Sequence, residues 1–196
     1  MTEPNINAQI AARVRQLRAQ HGLSIEALAE VSGVSRSMIS LIERGETSPT
    51  AVLLEKLAAG LETTLAGLFE KPSAPADPLS RQADQTLWRD PASGYVRRNV
   101  SPSGYPTPIQ IVEVVFPPDA HVAYESGKRR PLIHHQVWVL DGTIEVRLGE
   151  EPYMLHGGDC LAFALDRPIR YRNPTHRPAR YAVVIVAGPH QSETVL

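Results

Sequence analysis

The chain has 196 residues, room for two small domains, and a formal net charge of −1, which excludes a globally basic or acidic molecule. No apolar run reaches the length of a membrane span and the N-terminus lacks a signal peptide's apolar core, so no membrane partner is expected. The lone cysteine, Cys160, excludes an intrachain disulfide and suits a reducing cytoplasm; set in Cys-Leu-Ala-Phe-Ala-Leu, it reads as a buried small hydrophobe.

Ile10, Val14 and Leu17 recur at near-helical spacing, with Arg13, Arg15 and Arg18 on the other side. Ser24 is positioned to cap a second helix, in which Leu28 and Val31 form an inward stripe and Ala27 and Ala29 keep the crossing close. Gly33 falls where the chain must turn with positive φ, and Val34 plugs that turn. Ser35 then caps a third helix that buries Ile39 and Ile42, leaves Arg36, Ser37, Ser40 and Leu41 outside, and ends at Gly45 in a left-handed cap. Pro49 and Thr50 precede Val52, Leu53, Leu57, Leu61, Leu65 and Leu68, which suit two further packing helices. Two short helices around a glycine turn, the second with a small polar outer face, specify a helix-turn-helix whose second helix enters the DNA major groove.

Residues 6–69, with Ser-Arg-Ser-Met-Ile-Ser-Leu-Ile-Glu-Arg-Gly-Glu followed by Ser-Pro-Thr, closely resemble the DNA-binding domain of the lambda-repressor/Cro (XRE) class. The resemblance implies a five-helix all-α domain over 6–70 that binds a double-stranded operator. By position, Arg36, Ser37 and Leu41 face base edges with Ser40 beside them, and Arg36 has the planar fork that suits guanine O6 and N7. Ser35, Arg44, Thr47 and Ser48 match positions that hold the phosphate backbone. Ile25 stands where many relatives carry a phosphate-binding Gln, and it cannot make that contact. Acids slightly outnumber bases over residues 1–70, and the basic residues are local: Arg13, Arg15, Arg18, Arg36 and Arg44. Modest nonspecific affinity is expected, with a homodimer needed to reach useful affinity on two half-sites.

The segment 71–84 begins Lys-Pro-Ser-Ala-Pro-Ala-Asp-Pro and reads as a Pro-rich linker. From about residue 85 short β-rich runs take over: 109–116, 133–140, 143–148, 153–155, 160–165, 169–172 and 181–187. Asp141-Gly142 reads as a hairpin turn between two of them. Val-Trp-Val-Leu-Asp-Gly (137–142), Gly-Gly-Asp (157–159) and the stretch from Pro168 to Asn173 and Pro174 look like a cupin, a double-stranded jelly roll, making 85–196 an all-β domain. The usual metal ligands are not carried over. His135 occupies the glutamate position, no histidine stands in 128–131, Ile169 replaces the second-motif histidine, and His156 replaces a usual proline. His121, His134, His135 and His156 are left as another set, but His134 and His135 are adjacent on a strand and face opposite sides. No cofactor is therefore expected. His135, Val137 and Val139 share the inner face; His134, Gln136, Trp138 and Leu140 share the outer one, where cupin domains often pair. His121, Tyr124 and His135 are the expected polar lining of an effector pocket.

The combination implies an α + β two-domain cytoplasmic regulator, a repressor or autoregulator, that dimerises through its cupin domain and senses a small molecule there. Two other readings stand beside it. One is a cupin metalloenzyme, dioxygenase or isomerase, with an accessory DNA domain. The other is an antitoxin-like repressor that binds a second protein.

Overall fold

The computed structural model describes residues 6–70, 77–125 and 132–187. The first six positions of the expected linker, 71–76, and the segment 128–131 lie outside the described residues. The chain begins with four α-helices: α1 (Ile6–Gln20), α2 (Ile25–Ser32), α3 (Arg36–Glu43) and α4 (Ala51–Gly60). In place of a fifth helix stands one 3-10 turn at Ala66–Phe69, which Glu70 ends by turning extended. The caps follow the sequence. Ser24, Ser35 and Thr50 each have extended backbone and accept a backbone N–H from Ala27, Met38 and Leu53. Gly33 takes φ +66° between α2 and α3, a conformation glycine adopts without a Cβ penalty.

One helical expectation fails. Val31 is 59% exposed, and the inward position belongs to Ser32. The reason is packing distance. A Cβ on Gly60 of α4 would lie 2.9 Å from the Ser32 Cβ, so this crossing accepts only small groups. The Ser32 hydroxyl is satisfied in place, donating to the Leu28 carbonyl at 2.6 Å and accepting from Val34 N.

Among the described residues ten strands follow: β1 (Leu87–Arg89), β2 (Val96–Asn99), β3 (Ile109–Phe116), β4 (His121–Tyr124), β5 (Ile133–Asp141), β6 (Thr143–Leu148), β7 (Glu151–His156), β8 (Cys160–Ala164), β9 (Ile169–Arg172) and β10 (Ala179–Ala187). They pair antiparallel into a six-stranded sheet, β1-β2-β3-β10-β5-β8, and a four-stranded sheet, β4-β9-β6-β7. Val112, Val114, Phe116, Val137, Val139 and Ile185 from the first face Val122, Ile144, Val146, Ile169 and Tyr171 from the second, and all are buried. Asn173, fully buried after β9, ties the two sheets' corner. Its Nδ2 donates to the carbonyls of Phe116, Pro117 and Arg177, and its Oδ1 accepts from Thr175.

Asp141-Gly142 is not a hairpin. β5 pairs with β10 and β8, whereas β6 pairs with β7 and β9, so the dipeptide carries the chain from one sheet to the other. Glycine is needed there for φ +81° and for space, because a Cβ would meet the Ala179 Cα at 2.9 Å. The tight hairpin lies one strand later, at Gly149-Glu150, between partners Leu148 and Glu151.

Cys160 is exposed, not buried. It pairs with Trp138 across β5 and β8, so the pleat sends both to the outer face of the six-stranded sheet, where Trp138 is 50% exposed.

The two halves share one continuous apolar core. Asp90, 2% exposed at the end of β1, reaches back to the helical domain: its Oδ1 accepts the Ala51 N–H at 2.8 Å, the first donor of α4. Its Oδ2 accepts from Ser93 N and Oγ. Asn99 Nδ2 donates to the Ala66 carbonyl, and Gln110 bridges Thr64 and Glu70. Rings continue the seam inward. Phe69 meets Trp88 at 5.4 Å between centroids, Trp88 meets Tyr95 at 5.8 Å, and Tyr95 meets Phe116 at 6.1 Å.

Candidate DNA-reading surface and barrel cavity

The outer face of α3 stands clear of the β domain, which packs on α4 and the 3-10 turn instead. Ser35, Arg36 and Ser37 are exposed; Ser40 and Leu41 are half-buried. Ser35, Arg36, Ser37 and Ser40 share one shallow surface depression with Ile25, Glu26 and Arg18. Ile39 and Ile42 anchor the opposite side of the helix, at 0% and 1% exposure. Behind them Glu43 is 6% exposed and takes a two-pronged ion pair from Arg18, Nε at 2.6 Å and Nη2 at 2.9 Å. The Glu43 hydrogen bond raises the Arg18 pKa, and the pair fixes α3 against α1.

The remaining charges are less available than their sequence positions suggest. The Arg15 guanidinium reaches the Glu43 carbonyl. Arg13 donates to the Gly67 carbonyl at 3.0 Å and pairs with Glu70 at 2.9 Å. The three arginines of α1 are thus committed to joints within the helical domain. Arg44 is held by Glu46 through two bonds of 2.8 Å and also touches the Ser40 hydroxyl. The Arg44–Glu46 hydrogen bonds lower the Glu46 pKa and raise that of Arg44. Arg36 is the loosest, 70% exposed with Glu26 at 3.8 Å. Ser48 accepts from Asn7, Ser37 lies 3.1 Å from Ser35, and Thr47 is half-buried beside them.

A second site lies between the two sheets. It is a cavity of about 50 Å³ into which Tyr124 and His135 project, with Tyr95, Arg97, Tyr171 and Tyr181. His121 does not line it. It lies three residues from Tyr124 on β4, so the pleat turns it outward, into a surface groove with Thr50 and Asp90. The helical domain closes part of the wall with Glu55, Thr64 and Leu65. Tyr95 and Tyr124 hold their hydroxyls 3.3 Å apart, and Tyr171 stacks on Tyr181 at 6.0 Å. Burial pushes Tyr95 up to about 12 and Tyr124, Tyr171 and Tyr181 well above the usual phenol range, so all four stay neutral. Arg97 is 6% exposed, donates its Nε to Asn99 and lies 5.6 Å from the Phe69 ring centroid; its Nη2 is buried with no hydrogen-bond partner among the described residues. A buried donor left in that state costs about 1–3 kcal/mol.

Alternation finds Tyr171 with Ile169, and Tyr181 with Val183 and Ile185. Nothing local in the sequence announces Tyr95, which stands just before β2, or Arg97 on that four-residue strand, or the wall supplied by the helical domain.

Comparison with known proteins agrees with both halves. Residues 14–68 match the family described as Helix-turn-helix, and residues 120–186 match that described as Cupin domain. The chain is 28% identical over 183 residues to the HTH-type transcriptional regulator SutR of Escherichia coli, covering 86% of this chain and 89% of that protein. It is 27% identical over 165 residues to the HTH-type transcriptional regulator PuuR of the same organism, covering 82% and 85%. The crystal structure of an HTH_3 family transcriptional regulator from Vibrio cholerae superposes with a TM-score of 0.75 at 27% identity, over 93% of this chain and 97% of that one.

Cupin folds imply a metal in the barrel, and the donors present do not fit one. His135 is the single imidazole among the described cavity-lining residues; His134 is on the outer face and His156 is exposed, bonded to Thr143. Among the described residues no three His, Cys, Asp or Glu side chains converge as a metal centre requires.

Proposed function

We infer that this chain, a helix-turn-helix transcriptional regulator with a C-terminal cupin domain, binds an operator as a homodimer and is controlled by a small molecule held in its barrel. The observation that carries the reading is α3: capped by Ser35, pinned from behind by Ile39, Ile42 and Glu43, and open to solvent along Arg36, Ser37, Ser40 and Leu41. Those four side chains read base edges, and Ser35, Arg44, Thr47 and Ser48 hold phosphates once Arg44 exchanges Glu46 for the backbone.

Dimerisation uses the outer face of the six-stranded sheet. Ile111, Val115 and Trp138 are 38%, 40% and 50% exposed, Ala182, Val184, Cys160 and Ala162 share their face, and Glu113 stands among them paired to Arg98 and Arg180. A two-fold pairing of this apolar band covers it on both copies and sets the spacing of two reading helices. Occupancy of the barrel shifts that spacing by its difference in affinity between the two arrangements. The reading assigns no reaction to the barrel. It places the protein in the cytoplasm with its DNA; among the described residues no helix is long and apolar enough to cross a membrane.

Footprinting on the DNA upstream of the protein's own operon tests this. Protection of two half-sites about 34 Å apart is expected. Absence of protection even at low salt, where phosphate contacts are strongest, rejects it.

A further inference from the structure

The chemistry of the barrel's ligand follows from Arg97. Its neighbours in the ladder are Trp88 on β1 and Val114 on β3, both buried, so the strand turns the guanidinium inward. Phe69 offers it a ring face and Asn99 one oxygen, and the buried Nη2 is left without an acceptor among the described residues. Buried guanidinium groups ordinarily meet an anion. Tyr95 and Tyr124 add a second feature. Of two hydroxyls in mutual contact, one donates to the other, and the second keeps its own O–H for a further acceptor. Burial keeps both phenols protonated, so they act as donors at neutral pH. The walls beyond them, Ile133 and Ile185, are aliphatic.

Resting on the effector reading above, we propose that the barrel binds a small organic carboxylate, its carboxylate on Arg97 and the Tyr95–Tyr124 hydroxyl pair and its apolar body against the aliphatic wall. Arg97 also touches Phe69 of the helical domain, and its partner Asn99 bonds the Ala66 carbonyl there. Ligand capture and the seating of the DNA-reading half therefore draw on one side chain.

The test uses the full-length protein with acetate and propionate, whose size suits the cavity, their uncharged amides, and ethylamine, read by thermal shift and titration calorimetry. The acids are expected to bind, with the amides weaker by at least about tenfold, since a site built around a charged partner rejects the analogue that lacks it. Arg97→Met should weaken the acids by a similar factor, and Tyr124→Phe by less. If Arg97→Met fails to fold by circular dichroism, Tyr124→Phe and the acid-against-amide contrast on the unaltered protein decide the matter. Equal binding of amide or amine, or no binding of either acid at millimolar concentration, overturns the carboxylate assignment and leaves the effector reading standing. Acid binding that depends on Arg97 but leaves operator affinity unchanged does the reverse.

Discussion

Arg36 and Arg44 stand a helix apart and differ in what they must give up to meet DNA. Arg36 is 70% exposed and held weakly, so its fork is free to take a guanine edge. Arg36→Ala should weaken binding to the cognate operator by about 1–3 kcal/mol and leave nonspecific DNA nearly untouched, measured by fluorescence anisotropy on matched and scrambled duplexes. Arg44 must first leave Glu46, whose carboxylate would then stand beside a phosphate. Glu46→Gln removes that competitor. It should tighten binding to any duplex by about two- to threefold at low salt, an advantage that fades as salt screens the contact. Equal affinity of the two proteins across a salt series would show that Arg44 holds no phosphate.

Single contacts decide whether an element keeps its shape, and two sit where the halves of the chain meet. Asp90→Ala deprives α4 of its first acceptor and leaves the buried Ala51 N–H unmatched. The expected loss is about 1–3 kcal/mol in urea unfolding followed by Trp88 fluorescence, with Asp90→Asn losing less because one oxygen remains. Gly142→Ala forces a Cβ against the start of β10 at a backbone angle that disfavours it, and should cost about 1–3 kcal/mol by the same measurement. These elements were unevenly legible in the sequence. β6 and β9 announce themselves because alternation runs unbroken, and β3 because a β-branched run stops at Pro117-Pro118. β1, β2 and β4 are three or four residues long, and their pairing is made by distant partners. Asp141-Gly142 carries a turn signal that is correct about the backbone and silent about which sheet the next strand joins. In the barrel, Tyr124 and His135 follow from the pleat. His121, expected beside them, is turned out of the cavity by the same rule, since residues three apart on a strand face opposite ways. Arg97 has no local signature, because what makes it unusual is the company it is given by folding.

At the scale of the whole molecule, the reading head and the barrel behave as one body joined across Asp90, Asn99, Gln110 and the Phe69–Trp88 contact. In the proposed dimer the band around Trp138, itself 50% exposed, meets a second copy. Trp138→Glu should convert dimer to monomer in sedimentation experiments and roughly halve the slope of operator affinity against salt, because half of the phosphate contacts are lost. Unchanged mass with this substitution would move the interface elsewhere. The buried acid that reaches from β1 to the head of α4 also bears on protein engineering. A chimera that splices residues 6–70 onto an unrelated sensor inherits a helix whose leading amide has lost its counterpart and a phenylalanine stripped of its cover. Such grafts should work only when the recipient brings a matching carboxylate and an aromatic seat of its own, so the two halves are better exchanged as a pair than traded as parts.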